Sequence, residues 1–122
     1  MEVVRAALEA VALRLVLIAR ELAAEPGPVV ASGAALLASP AWRQIVADAL
    51  GRPLIAGPEE ASSRGAALLA LEAAGRLPGA TTAAAPTGET TTWPAAEATA
   101  LYRAALERQQ ALLRGLPEPE PR

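Results

Sequence analysis

Residues 29–75 read VVASGAALLASPAWRQIVADALGRPLIAGPEEASSRGAALLALEAAG, and this order of residue types predicts strand, small-residue turn, helix, strand, acidic loop and helix. Val29 and Val30 form a short β-branched run, which favours a strand. The run enters Ala31-Ser32-Gly33-Ala34-Ala35, a turn with so little side-chain bulk that another molecule can approach its backbone closely. Ser39 followed by Pro40 reads as an N-cap and first helical residue, opening a helix over 40–50 that stops at Gly51. A helix start facing an open turn offers unpaired N–H groups and the positive end of the helix dipole, an arrangement suited to phosphate or ribose. Arg52-Pro53 then leads to Leu54-Ile55-Ala56, bounded by Gly57-Pro58. Two strands joined through a helix make a βαβ unit, which favours a parallel pair with a right-handed crossover.

Outward from this unit, helices dominate. After Glu59 and Glu60 a helix is expected over 61–74, closed by Gly75, with Gly65, Ala66, Ala67 and Ala70 as a small face able to sit close to a sheet. Before the unit, Val4, Leu8, Val11, Leu15, Ile18 and Leu22 follow three- and four-residue steps, placing a stripe on a helix over 2–24. Leu13, Val16 and Leu17 lie off that stripe, as expected of a helix packed on two sides. Glu25-Pro26-Gly27-Pro28 ends it. Residues 76–93 read as an irregular Thr/Ala/Pro/Gly loop. A last helix is expected over 95–114, with Leu101, Ala105, Leu106 and Leu112 on its apolar side. Residues 1–116 thus form one folded unit, and 117–122 an extended, disordered tail. No internal repeat is visible.

Composition removes many functions. The chain of 122 residues supports one domain with a modest core. Apolar residues make up 52%, but alanine supplies much of that and Phe is absent. There is no Cys, no His and no Lys, and Asp48 is the sole aspartate. Disulfides, thiolate or imidazole metal sites, Ser-His-Asp and Cys-His arrangements, Schiff bases and P-loops are therefore excluded. With 11 basic and 13 acidic residues the net charge is −2 and no basic stripe appears, so nucleic-acid binding is not expected. Glu2, Arg5, Glu9, Arg14, Arg20 and Glu21 interrupt the first helix, which argues against a membrane span or signal segment and for a cytoplasmic protein.

Two strands do not make a stable sheet under four helices, since independent sheets usually need three or more. Either another chain covers the edge, or part of the fold lies outside this sequence. Several short motifs in order bear on that choice. Ala31-Ser32-Gly33-Ala34-Ala35-Leu36, Ser39-Pro40-Ala41-Trp42-Arg43-Gln44, Ala47-Asp48 with Gly51, and Glu60-Ala61-Ser62-Ser63-Arg64-Gly65-Ala66-Ala67 resemble the C-terminal domain of the FGGY carbohydrate kinases, with wording similar to gluconokinase-like members and, more distantly, xylulokinases and glycerol kinases. The resemblance is dense over 29–75 and looser over the first and last helices.

It implies a fold and a role. The expected class is α/β, part of a ribonuclease H-like (actin-like ATPase) domain ordered helix-strand-helix-strand-helix plus C-terminal helix, around a parallel strand pair. The resemblance further implies that ATP lies against the turn, with Ser32, Gly33, Ala34 and Ser39 as its contacts: Gly33 matches the first glycine of the family's adenosine motif, and Ser39 lies near the position that reaches the adenine. Ala34 departs from the second glycine, where a Cβ crowds the nucleotide or forbids a positive φ. The family's catalytic aspartate, its Mg²⁺ on the phosphates and its glycine-rich phosphate hairpins match nothing here. The expectation is the C-terminal portion of a carbohydrate kinase, inactive alone and partnered by the remainder of the enzyme. The alternative is a stand-alone, non-catalytic domain that forms a homo-oligomer across the sheet edge.

Other residues read structurally. Asp48, mid-helix, is expected to hydrogen-bond a neighbouring loop rather than act as a base, and Trp42 to anchor its helix in the core. Glu59 and Glu60 are adjacent and do not converge on one point, so Glu60 is expected to support a helix start. Arg64 is expected on a solvated or salt-bridged face. Without the resemblance, Ser32, Gly33 and Ala34 are a tight strand-to-helix connection.

Overall fold

The computed structural model describes residues 2–22, 25–80 and 90–115. In chain order the elements are α1 (Glu2–Glu21), β1 (Val29–Ala31), α2 (Ala34–Leu37), α3 (Pro40–Leu50), β2 (Leu54–Ala56), α4 (Ala61–Ala73), β3 (Thr91–Thr92) and α5 (Ala96–Arg114). The β1–α3–β2 unit forms as its sequence dictates. Val29, Val30 and Ala31 pair with Leu54, Ile55 and Ala56 in parallel register. Ser39 caps α3 with its hydroxyl oxygen, which accepts from the Trp42 N–H at 3.2 Å, Pro40 takes the first helical turn and Gly51 ends the helix in the left-handed region.

The sheet has a third strand. Thr91 and Thr92 pair antiparallel with Ile55 and Leu54, and the Ala56 N–H donates to the Thr90 carbonyl at 2.8 Å. The order is β1-β2-β3, so the sheet is mixed and β2 is central. This corrects the expectation of a strand pair flanked by an irregular 76–93 loop: two paired residues are too short for any alternation to register, and the threonines sit in a turn-rich composition. The expected tail, 117–122, lies outside the described residues.

The core is built around α3. Ala12 of α1, Ala31, Val46, Ala47 and Leu54 form one buried cluster, with Leu15, Leu36, Trp42 and Ile45 packed against it. Leu13, Val16 and Leu106 form a second, between α1 and α5. Ala12 and Ala47 are both fully buried, and methyl side chains at that crossing allow α1 and α3 to approach closely. The buried residues of α1 are Ala12, Leu13 and Val16: Leu13 and Val16, with Leu17, pack off the main stripe as expected of a helix packed on two sides, while of the stripe itself Leu15 packs against the first cluster. On that stripe Val4, Val11, Ile18 and Leu22 are exposed, Leu22 by 73%. On α5 likewise, Leu106 is buried while Leu101 and Leu112 are exposed.

Helix α4 stands off. None of its residues is buried; Ala66, Ala67 and Ala70 are exposed, and a Cβ built on Gly65 would meet nothing within 4 Å. Its small face, expected against the sheet, covers nothing among the described residues. Edge strand β1 likewise has no strand on its outer side among the described residues. The Val29 N–H donates to Pro53 at 2.8 Å and the Ala31 carbonyl accepts from Gly57 at 2.7 Å. Because alternate residues of a strand direct their amides to opposite sides, the Val30 N–H and C=O face away from β2.

Candidate functional site

The carboxyl ends of β1 and β2 lie side by side, the place where open α/β sheets receive ligands. At the end of β1, Ser32 is exposed. Gly33 follows with φ 96° and ψ 130°, occupying the N-cap position of α2. That φ is one which a residue with a side chain rarely adopts, and a Cβ built there would face open space. Ala34 is the first residue of α2. Its right-handed helical conformation carries no penalty for a Cβ, so the expected conflict between alanine and a positive φ does not arise. Between Ala31 and Leu36 no side chain exceeds serine in size, and the backbone is accessible along that length.

Ser39 lies apart from these three. It stands at the far end of α2, one four-residue turn on, with its Oγ engaged in capping α3. The Arg43 Nη1 donates to the Leu37 carbonyl, tying the end of α2 to the first turn of α3. Ser32, Gly33 and Ala34 thus share one edge, exposed at Ser32 and Ala34 and half-buried at Gly33, and Ser39 sets its far boundary. Gly57 completes the arrangement from β2. A Cβ there would lie 2.7 Å from Val30 Cγ1 and 3.0 Å from the Ala31 carbonyl oxygen, so only glycine lets the end of β2 lie this close to β1. Its signal was a Gly-Pro after a strand, which reads equally as a plain strand end.

The remaining candidates take structural positions. Asp48 is buried, and its Oδ1 accepts from Gln44 Nε2 at 2.8 Å and from the Ala95 N–H at 2.7 Å. Gln44 Nε2 also donates to the Trp93 carbonyl at 2.9 Å. The sole aspartate therefore ties α3 to the entry of α5, the loop contact expected of it. Trp42 packs against the core cluster. Glu60 holds the N-cap position of α4, and its carboxylate accepts from Ser63 Oγ at 3.2 Å. Glu59 and Arg64 are exposed.

Sequence reasoning missed a polar set between α1 and α5. Glu9 Oε1 accepts from Arg5 Nε at 2.9 Å and from the Tyr102 hydroxyl at 3.1 Å. Burial, then the hydrogen bond to Glu9, hold the Tyr102 phenol above its ordinary value of 10. A pair 93 residues apart leaves no local pattern to read.

The edge at Ser32 to Ala34 is open: no atom lies within 4 Å of where a Gly33 side chain would begin. Nothing in this segment serves a triphosphate: the chain has no lysine, and Arg43 is turned onto Leu37. Among the described residues no helix is long and apolar enough to cross a membrane. No curated protein and no solved structure gives a match. A family model does: that of the FGGY family of carbohydrate kinases, C-terminal domain, matches residues 1–74. The match spans α1 to α4 and stops short of β3 and α5. Because it covers more than half of the 122 residues, the chain belongs to the FGGY family of carbohydrate kinases through their C-terminal domain.

Proposed function

We propose that this chain is the nucleotide-side portion of an ATP-dependent carbohydrate kinase, ribonuclease H-like in fold and gluconokinase- or xylulokinase-like in substrate class, working in the cytoplasm. One observation carries the reading: the open backbone edge Ser32-Gly33-Ala34 at the carboxyl end of a parallel strand pair, within the family match. ATP, when bound, supplies the phosphoryl group that passes to a sugar hydroxyl. The residues of this chain orient its adenosine. Gly33 keeps the backbone clear for the ribose, Ser32 offers an exposed hydroxyl, and α2 with Ser39 bounds the adenine side. The catalytic aspartate, the Mg²⁺ site and the phosphate hairpins belong to residues outside this sequence, so the chain alone transfers no phosphate.

The same reading names the partner as the remainder of the enzyme. The outward amide groups of Val30, the exposed Ile18 and Leu22 and the uncovered α4 are apolar and polar surfaces that a larger sheet would cover. A homo-oligomer across the β1 edge is the second reading, supported by those same residues. A monomer in light scattering at high concentration counts against it.

The test is an amide NMR titration of the chain with ATP and with adenosine. The expected result is saturable shifts at Ser32, Gly33 and Ala34 in the millimolar range with either ligand. No shift in that segment, or ATP-dependent phosphorylation of gluconate by this chain free of other kinases, contradicts the proposal.

A further inference from the structure

We infer a second ligand site, for a small soluble phosphomonoester, in the cleft where α1 and α3 end beside α5. The cleft is open to solvent and has a volume of about 440 Å³, within the range of small-molecule sites. Arg20 from the last turn of α1, Arg52 just beyond α3 and Arg103 from α5 line it together with Thr99 and Tyr102. Among the described residues no acidic side chain lines it, in a chain whose net charge is −2. Arg52 is fixed in place: its Nε and Nη2 donate to the carbonyls of Gly27 and Glu25, both at 2.6 Å, and Nη1 lies outside those two bonds. Arg20 and Arg103 are exposed, and among the described residues neither makes an ion pair or hydrogen bond.

Cations at helix carboxyl ends also balance the helix dipole, so magnitudes must decide. Each helix end carries roughly half a negative charge; α1 and α3 together offset about one of the three guanidinium charges. About two positive charges remain, matching the −1.5 to −2 that a phosphomonoester carries near neutral pH. Arginine's planar fork suits phosphate oxygens. The cleft is not lined by Ser32, Gly33 or Ala34, although Arg52 also borders the groove that reaches Ser32. Helix α3, 11 residues long, places about 16 Å between its two ends, and the cleft is at the carboxyl end. The inference is independent of the kinase reading.

The test is NMR titration of the chain at low ionic strength with inorganic phosphate and then phenyl phosphate, with acetate as the monoanion control. Saturable shifts are expected at Gly51, Thr99 and the Arg103 guanidinium, stronger with the phosphates than with acetate. Arg103→Gln and, separately, Arg20→Gln each weaken binding by about 10-fold or more, the worth of one charged hydrogen bond. Both side chains are exposed, so each variant keeps the parent circular dichroism and melting temperature, and Arg103→Lys recovers part of the affinity. Shifts that stay linear in phosphate, that acetate equals, that survive both substitutions, or that centre on residues 32–36 overturn the inference.

Discussion

Replacing Asp48 by alanine removes one of two α3 side chains, the other being Gln44, that join α3 to the strand-to-helix junction at Trp93 to Ala95. The carboxylate is 6% exposed and accepts two hydrogen bonds, from Gln44 Nε2 at 2.8 Å and the Ala95 N–H at 2.7 Å. A hydrogen bond to a charged group contributes about 1.5–3 kcal/mol. Two effects reduce the sum here: Ala95 is exposed, so its N–H recruits water, and Gln44 keeps its bond to the Trp93 carbonyl. The expected loss for Asp48→Ala is therefore roughly 2–3 kcal/mol, a large share of the stability of a domain this size. Asp48→Asn keeps an acceptor in the same place and should lose about 1 kcal/mol. Urea unfolding followed by circular dichroism measures both, and hydrogen exchange at the α5 entry locates the loss. An Asp48→Ala variant within about 0.5 kcal/mol of the parent, or one in which Asn costs as much as Ala, would refute the clamp.

Gly57→Ala places a methyl 2.7 Å from Val30 Cγ1 and 3.0 Å from the Ala31 carbonyl; a loss of about 1–3 kcal/mol is expected in the same assay, and an unchanged midpoint would mean that the two strand ends can part. Tyr102 contributes to the alkaline decline in stability. Its pKa is raised in the fold by burial and by Glu9, so the stability it contributes is fully present below the unfolded value near 10 and is lost as pH rises through the folded value. Tyr102→Phe should flatten that alkaline decline while leaving the profile below pH 9 parallel to the parent (about one unit under the onset), and a variant with the parent's alkaline slope would assign the decline elsewhere. Leu22→Glu, at a 73% exposed position, should change stability by less than about 0.5 kcal/mol and lower self-association in sedimentation; a loss above about 2 kcal/mol would place Leu22 in a core.

The central unit was legible because its signals are local. Ser39-Pro40 and Gly51 bound α3, β-branched and apolar triplets mark β1 and β2, and short loops fix their pairing. On α1 the side that meets α5 was legible, in Leu13, Val16 and Leu17 off the main stripe, but the crossing with α3 was not, because it uses Ala12 and Ala47, residues whose smallness rather than hydrophobicity decides the approach. The large stripe drew the reading to Val4, Val11, Ile18 and Leu22, which this chain leaves exposed. Strand β3 was hidden for a different reason: its two threonines owe their conformation to Leu54 and Ile55, not to their own neighbourhood. At the site, Gly33 announced a special backbone in sequence and has one. The conformation of Ala34 was not readable, since nothing before it shows that α2 begins there. Asp48 was readable as structural by its place mid-helix, but its partner Ala95, 47 residues away, was not.

The most direct test is the mass of the polypeptide that carries this sequence in its source, by immunoblot with an antibody raised against residues 58–75. The account predicts a band several-fold heavier than the 12.4 kDa of this chain, because the open edge of β1, the exposed stripe of α1 and the uncovered α4 are then covered by the rest of a kinase. A single band at 12.4 kDa would contradict it and leave those surfaces to another copy of the chain.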